Sequence, residues 1–172
     1  MAAIPVRFHW AAALIHPKPS DKILEIGCGT GLLAKLLLEE YGIRHFTGID
    51  RSEAMIKMAI KNNEDAVAEG RAEFLKTVFP FKDPKPKQYN RLVAFNIGFF
   101  SKPGSAETEH LKGLIKPDGS LFVFLQAPYE IDIHAAQPIV KNLLNAGFKI
   151  KEVTLKKLKP VSALCVISSP AI

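Results

Sequence analysis

Three glycines at alternate positions follow an apolar run near the start of the chain. The segment is Ile23-Leu-Glu-Ile-Gly27-Cys-Gly29-Thr-Gly31. Glycine is needed where a backbone turns tightly or approaches a ligand closely, because a side chain there would clash. We expect the main-chain N–H groups of this turn, and of the helix start that follows, to be free to bind ligand oxygens. The pattern therefore predicts a ligand-binding turn at the end of a strand.

An acidic residue ends the next apolar run. Asp50 follows Phe46–Ile49 and lies 23 positions after Gly27. A carboxylate at this point can accept both hydroxyls of a ribose, as it does in dinucleotide-binding folds. The dinucleotide fingerprint places its third glycine at position 32, but that residue is Leu32 and the glycine is Gly31. The spacing therefore predicts a cofactor that carries a nucleoside but is not a dinucleotide.

A resemblance to motifs I and II of the class I S-adenosylmethionine-dependent methyltransferases is carried by Glu25-x-Gly27-x-Gly29-x-Gly31 and Gly48-Ile-Asp50. The segment 114–122 resembles the helix, turn and strand at the fifth strand of that family. The resemblance covers about residues 20–168. It implies S-adenosylmethionine as the cofactor. It also implies a seven-stranded sheet whose last strand is inserted antiparallel beside the fifth.

The resemblance also implies roles for individual residues. Glu25 would lie near the amino group of the cofactor, Asp50 would hold the ribose, and Arg51 would lie beside the adenine. The family often has an acidic and then a small residue after the third strand, where this chain has Lys76-Thr77. The cofactor contacts implied in this way are Glu25, Gly27, Cys28, Gly29, Gly31, Asp50, Arg51, Thr77 and Asn96.

The substrate side is predicted to begin where the fourth strand ends, at Phe95 and Asn96. Ile97 and Gly98 follow Asn96, so the Asn-Pro-Pro-aromatic sequence of amino-group methylation is not present. Asn96 could equally serve a turn. His16, ahead of the first strand, is a third candidate for substrate contact. Methyl transfer needs a general base only when the acceptor must lose a proton, and the sequence identifies neither a base nor a metal site.

Short apolar runs alternate with helical patterns, which is typical of a doubly wound, Rossmann-like α/β sheet that is mostly parallel with helices on both faces. The predicted strands are Lys22–Ile26, Phe46–Ile49, Ala72–Leu75, Leu92–Phe95, Ser120–Leu125, Phe148–Leu155 and Ala163–Ile167. Ala163–Ile167 is continuously apolar, whereas Phe148–Leu155 carries lysines. The final strand is therefore predicted to lie inside the one before it.

The helical periodicity and end signals predict five helices. They are expected at 6–15, at Gly31–Glu40, after a cap at Ser52, after a cap at Ser105, and at Gln137–Ala146. In the first of them, the side predicted to face inward comprises Val6, Trp10, Ala13 and Leu14.

Length and composition predict one globular domain over residues 1–172, in which residues 1–20 form an N-terminal helix and lead-in. Apolar residues make up 48% and charged residues 23% of the chain, unlike a disordered sequence. No apolar stretch is long enough to cross a membrane, and the N-terminus does not resemble a secretory signal. We therefore expect a cytoplasmic protein in which Cys28 and Cys165 are reduced.

The methyl acceptor is the least determined part of the prediction. The chain has little beyond the core fold, which favours a small-molecule acceptor. The net charge is +6, and the chain after position 140 contains six lysines but a single acidic residue, Glu152. RNA, bound by these lysines and by the basic run at 82–87, is the alternative acceptor, while a solvated face would also explain them. A catalytically silent cofactor-binding or scaffold protein stays open, and the sequence does not indicate an oligomeric state.

Overall fold

Strands and helices alternate over residues 6–76 and again over 89–156, as the sequence predicts, and the last two strands follow each other directly. The computed structural model describes residues 3–81, 89–102 and 106–171, and among these no helix is both long and apolar enough to cross a membrane. The helices are α1 (Val6–Ile15), α2 (Leu32–Glu40), α3 (Glu53–Asn62), α4 (Glu64–Ala68), α5 (Ala106–His110) and α6 (Gln137–Asn145). The strands are β1 (Lys22–Ile26), β2 (His45–Asp50), β3 (Ala72–Lys76), β4 (Tyr89–Phe95), β5 (Ile115–Leu125), β6 (Phe148–Lys156) and β7 (Ala163–Pro170).

The first of two compact units, Met1–Phe81, contains three parallel strands. β2 lies between β1 and β3, so that Ile26 pairs with Ile49 and Asp50 pairs with Lys76. Parallel strands end at the same edge of a sheet, which is where open α/β folds bind their ligands. The turn after β1 and the carboxylate at the end of β2 are therefore brought to one edge of this unit.

The second unit, Lys82–Ile172, contains the other four strands. β4 and β5 are parallel, and β7 pairs antiparallel with β5 on one side and with β6 on the other. The seven strands have the order β3-β2-β1-β4-β5-β7-β6. The predicted seven-stranded sheet, with its last strand antiparallel beside the fifth, is confirmed.

The last two strands differ in burial as their compositions predict. Residues 163–169 of β7 are all buried, because neighbouring strands lie on both of its sides and apolar side chains cover its faces. Among the strands that the structure describes, β6 lies next to β7 alone, and its lysines at 149, 151 and 156 are exposed. Charged side chains on such an edge oppose pairing with other chains.

Helix α1 has the predicted bounds but buries a different face. Its buried residues are Ala11, Ala12 and Ile15. Val6 is 66% exposed and Ala13 is also exposed, so the predicted inward side is wrong at these two positions. Alanines allow close backbone approach, and α1 contacts α2. The small face of α1 is therefore the one that packs.

Strand β5 begins earlier than predicted, and the helix before it is shorter. Tyr89 pairs with Ile115 and Arg91 with Ser120, so the turn at 116–119 is a bulge within the strand. A Cβ atom on Gly119 would lie 2.7 Å from Ile115 Cγ1, which explains the glycine there. The predicted cap at Ser105 and the basic run at 82–87 lie outside the described residues.

Candidate cofactor site

The glycine turn, residues 27–31, joins β1 to α2 and is hydrogen-bonded to the end of β2. The N–H groups of Gly27 and Cys28 both donate to the carbonyl of Ile49, at 2.8 and 2.9 Å. The N–H of Gly31 donates to the Cys28 carbonyl at 3.0 Å, which closes the turn on itself. The φ angles of 51° at Gly29 and 72° at Gly31 are ones that side chains rarely tolerate. The turn therefore has the conformation that alternate glycines predict.

Asp50 holds the same turn from the end of β2. Its Oδ2 accepts the N–H of Gly29 at 3.0 Å, and its Oδ1 accepts the N–H of Ser52 at 2.8 Å. A carboxylate offers about four acceptor positions, so each oxygen keeps capacity for one more donor. Asp50 is only partly buried. It therefore has both the position and the remaining capacity to accept hydroxyl groups of a ribose.

Four amides of the turn are used internally, so our expectation that they would be free for ligand oxygens is wrong for these four. For the start of α2 it stays a prediction. The N–H groups of Gly27, Cys28, Gly29 and Gly31 all donate within the first unit. The turn folds against the end of β2, whose last carbonyl and carboxylate are the nearest acceptors. Dinucleotide-binding turns present such amides to a pyrophosphate. This turn has already committed four of them.

Glu25 is a buried carboxyl group beside the turn. It is 2% exposed, and within the described residues its Oε2 has no hydrogen-bond partner. Burial, and secondly the negative charge of Asp50, raise the pKa of Glu25 well above its usual range. An acceptor that is buried without a partner is costly for a folded protein. A ligand that brings a hydrogen-bond donor to the glycine turn would satisfy this oxygen.

The two cysteines lack the properties of nucleophiles. Burial raises the pKa of the Cys28 thiol, and the nearby charges of Glu25 and Asp50 raise it further. Burial, followed by the charge of Glu152, likewise raises the pKa of Cys165. A reactive cysteine needs a lowered pKa, because the thiolate is the nucleophile. Both side chains are buried and act in packing.

These features fit S-adenosylmethionine better than a dinucleotide. An ammonium group would give the unpartnered Glu25 oxygen a charged donor, whereas a pyrophosphate would meet a carboxyl group and four occupied amides. A Cβ atom placed on Gly29 would contact no heavy atom within 4 Å among the described residues, so the turn is open there. Glu25, Gly29 and Asp50 are therefore the residues that would meet the cofactor.

Arg51 and Thr77 lie next to Asp50. The Thr77 N–H donates to the Asp50 carbonyl at 3.0 Å, which continues the β2–β3 pairing by one residue. Arg51 is exposed. Lys76, where the family often has an acid, pairs with Glu53 on the surface at 3.2 Å. Proximity agrees with the predicted adenine contacts, but the side-chain roles of Arg51 and Thr77 stay predictions.

Phe95 and Asn96 lie in the second unit and are described there alone. Asn96 has a φ of 56°, and its side chain bonds the backbone of Gln126, accepting from its N–H at 2.7 Å and donating to its carbonyl at 3.1 Å. Phe95 stacks on Phe124 with 5.0 Å between ring centroids. Asn96 thus has a structural role that joins the ends of β4 and β5, rather than the local turn role that the sequence left open. Substrate or cofactor contact by Phe95 and Asn96 stays a prediction.

His16 ends helix α1. Its φ is 43°, and its N–H donates to the Ala12 carbonyl at 3.0 Å, which terminates the helix in a left-handed residue. The imidazole is exposed. His16 therefore has a structural role through its backbone, and substrate contact by its side chain stays a prediction.

Two side chains that donate hydrogen bonds to carbonyls of the turn were not predicted from the sequence. Asn62 and Asn63, where α3 ends, donate to the carbonyls of Thr30 and Gly31 at 2.8 and 3.1 Å. A consecutive pair of asparagines at a helix end was the available signal, but asparagine there commonly serves the local backbone. The sequence does not indicate that these amides reach the turn.

Comparison with known proteins gives a family match over residues 23–119, to a model described as a methyltransferase domain. An uncharacterized protein of Methanocaldococcus jannaschii is 30% identical over 83% of the chain, and the chain spans 49% of that protein's length. An uncharacterized methyltransferase of Bacillus subtilis, YdaC, is 25% identical over 91% of the chain and 87% of its own length.

Two solved structures share the fold at low sequence identity. A magnesium protoporphyrin IX methyltransferase from Synechocystis with bound S-adenosylmethionine has a TM-score of 0.70 at 18% identity, over 96% of this chain and 76% of its own. The cyclase SpnF has a TM-score of 0.76 at 14% identity, over 96% and 81%. The family model covers more than half of the residues and includes the glycine turn and Asp50. The chain therefore belongs to the methyltransferase-domain family, whose cofactor is S-adenosylmethionine.

Proposed function

We propose that this chain transfers the methyl group of S-adenosylmethionine to a small-molecule acceptor. The observation that carries the proposal is the buried Glu25 Oε2, which has no hydrogen-bond partner in the described part of the chain and lies beside a turn of which four amides are already used. The bound cofactor would supply a methyl group activated by a sulfonium, so alignment and exclusion of water provide most of the acceleration. The protein then has to bind and orient rather than to perform acid–base chemistry.

Glu25 and Asp50 divide the binding between them. Glu25 would pair with the ammonium group of the cofactor, and Asp50 would accept the ribose hydroxyls through the capacity that its two backbone bonds leave. The glycine turn, bare at Gly29, would line the methionine part between them. No residue is assigned as a general base, because methyl transfer requires one only for acceptors that must lose a proton.

Titration calorimetry tests the cofactor, with S-adenosylmethionine, S-adenosylhomocysteine and NAD as ligands. Asp50→Ala is expected to weaken S-adenosylhomocysteine binding by about 1–3 kcal/mol, because donors in the ligand lose their partner. Asp65→Ala, which removes an exposed acid of α4 in the same unit, is the control and should leave affinity unchanged. Preference for NAD, or equal affinity in the Asp50 variant, would contradict the assignment.

A small-molecule acceptor is favoured because the described connections between strands are short segments of the core fold. Incubation of the protein with methyl-labelled cofactor and fractionated cell extract is expected to label the low-molecular-weight fraction. The fold also occurs in a cyclase, so fold alone does not guarantee methyl transfer. Tight cofactor binding with no labelled fraction would instead support a cofactor-binding or scaffold protein.

RNA is the alternative acceptor, suggested by the exposed lysines of β6. Any RNA binding is expected to be weak and to disappear near physiological salt, because exposed lysines alone bind phosphates electrostatically. A gel-shift series across salt measures this, followed by charge reversal in a β6 variant at Lys149, Lys151 and Lys156 of the strand and at the adjacent Lys157. Reversal of four exposed lysines of the first unit, Lys18, Lys22, Lys57 and Lys61, controls for net charge. Binding that survives moderate salt and is lost only in the β6 variant would overturn the small-molecule preference.

A further inference from the structure

The junction of α3 and α4 reaches back to the glycine turn through two consecutive side chains. Asn62 Nδ2 donates to the Thr30 carbonyl at 2.8 Å. Asn63 Nδ2 donates to the Gly31 carbonyl at 3.1 Å and to the Ala59 carbonyl at 2.8 Å. Asn63 is only 6% exposed, so these bonds replace water for carbonyls inside the protein. The turn is thereby connected to a helix end 32 residues away.

The break between the two helices is what aims these amides. Asn63 leaves the helical conformation, with φ −128° and ψ 30°, and its carbonyl then accepts the N–H of Val67 to start α4. Lys35 Nζ, from the second turn of α2, donates to the Asn62 carbonyl at 3.2 Å. The junction therefore contacts both the turn and the helix that follows it.

The turn is consequently held on two sides by different atoms. On one side, β2 accepts its N–H groups through the Ile49 carbonyl and the Asp50 carboxylate. On the other, Asn62 and Asn63 donate to its carbonyls. Removal of the Asp50 carboxylate would abolish its hydrogen bond to the turn and also the group proposed to bind the ribose. Removal of the asparagine bonds leaves Asp50 in place and acts on the turn through the carbonyls of Thr30 and Gly31.

We propose that Asn62 and Asn63 are positioning residues that hold the carbonyls of Thr30 and Gly31, and thereby set the turn that receives the amino-acid part of the cofactor. The inference rests on the proposed cofactor site. Neither residue needs to touch the cofactor, because each acts through the backbone of the turn. Their loss should affect ligands that contact the turn and spare ligands held by Asp50.

Two ligands separate these cases: S-adenosylhomocysteine, which has the amino-acid part, and adenosine, which lacks it. Asn62→Ala is expected to weaken S-adenosylhomocysteine binding by about tenfold, the effect of one lost hydrogen bond, and to change adenosine binding by less than about twofold. Lys61→Ala, the exposed neighbour on α3, is the matched control and should change neither. Equal weakening of both ligands, or no weakening, would overturn the positioning role.

Hydrogen exchange gives a readout without any ligand. In Asn62→Ala, the amides of Gly31 and Lys35 are expected to exchange faster than in the wild type, while amides of β3 keep their rates. Unchanged exchange at Gly31 and Lys35 overturns the inference, even if affinity falls. Asn63→Ala should show the same pattern more strongly; if it does not fold, Asn62→Ala alone decides. Wild-type protein that binds neither S-adenosylmethionine nor S-adenosylhomocysteine would instead refute the proposed function.

Discussion

Binding of S-adenosylmethionine is expected to release up to about one proton from Glu25. In the cofactor-free protein, burial and the charge of Asp50 raise the pKa of this carboxyl group, which favours its neutral form. An arriving ammonium group favours the ionised form, so binding and deprotonation are linked. Affinity should therefore rise with pH, by as much as about tenfold per pH unit, between the usual glutamate pKa near 4.3 and the raised value.

Calorimetry in buffers of different ionisation enthalpy measures the protons released. The pH is kept at least about one unit below 7.7, the usual pKa of an α-amino group, so that the cofactor itself stays protonated. Glu25→Gln should release no proton and should bind with an affinity independent of pH, and adenosine, which lacks the ammonium, should release none from the wild type. Proton release that persists in Glu25→Gln would assign the linkage to another group.

The same carboxyl group makes the stability of the cofactor-free protein depend on pH. Because the pKa of Glu25 is higher in the folded than in the unfolded state, folding takes up a proton. Stability is therefore greatest below the unfolded pKa and falls as pH rises toward the folded one, by up to about 1.4 kcal/mol per pH unit. Relative to Glu25→Gln, the wild type should lose stability across this interval in urea unfolding.

Gly31→Ala is expected to destabilise the protein by about 2–4 kcal/mol, the sum of a left-handed conformation and an overpacked contact. The φ of Gly31 is 72°, and an added Cβ would lie 2.8 Å from Asn63 Nδ2 and 3.0 Å from Ala59 Cβ. The nearest atom belongs to a buried amide that already makes two hydrogen bonds, so it has little freedom to move. Relief of the clash would have to displace the turn itself.

Gly42→Ala is the matched control for that variant. Gly42 follows α2 as Gly31 precedes it, with a similar φ of 65°, but an added Cβ there would meet no atom within 4 Å in the described part of the chain. Its cost should be that of the backbone alone, about 1 kcal/mol. Thermal melts should show a decrease of about 5–15 °C for Gly31→Ala and about 2–4 °C for Gly42→Ala. Equal decreases would mean that the close approach of α3 is unimportant.

The sequence predicted the parts of this site that depend on local chemistry. Glycines between a strand and a helix, and an acid at the end of the next strand, are positions whose backbone geometry follows from neighbours in the chain. The path of the turn also depended on which acceptors lay beside it. The carbonyl of Ile49 belongs to a neighbouring strand, and it accepts the N–H groups of Gly27 and Cys28, which we expected to be free.

Asn62 and Asn63 illustrate why the remaining part was not predictable. Asparagine at a helix end usually bonds its own backbone, and Asn63 does so at Ala59. Its second bond, to Gly31, depends on how α3 packs against the turn. The prediction of the buried face of α1 was partly wrong for a similar reason. Helical periodicity does not distinguish a bulky face from an alanine face that packs closely.

The position of β7 has a consequence for the order in which the second unit folds. β7 is the last strand in the chain, but it lies between β5 and β6 in the sheet. It pairs with β6, and its Val166 pairs with Val123 of β5. An emerging chain that ends before residue 163 therefore leaves both β5 and β6 with unpaired backbone groups. The pairing of Val123 with Val166 is long-range in the chain, and such pairing slows folding, because loop-closure entropy is lost before the contacts form. Until β7 is available, the lysines of β6 would oppose pairing of that strand with other chains.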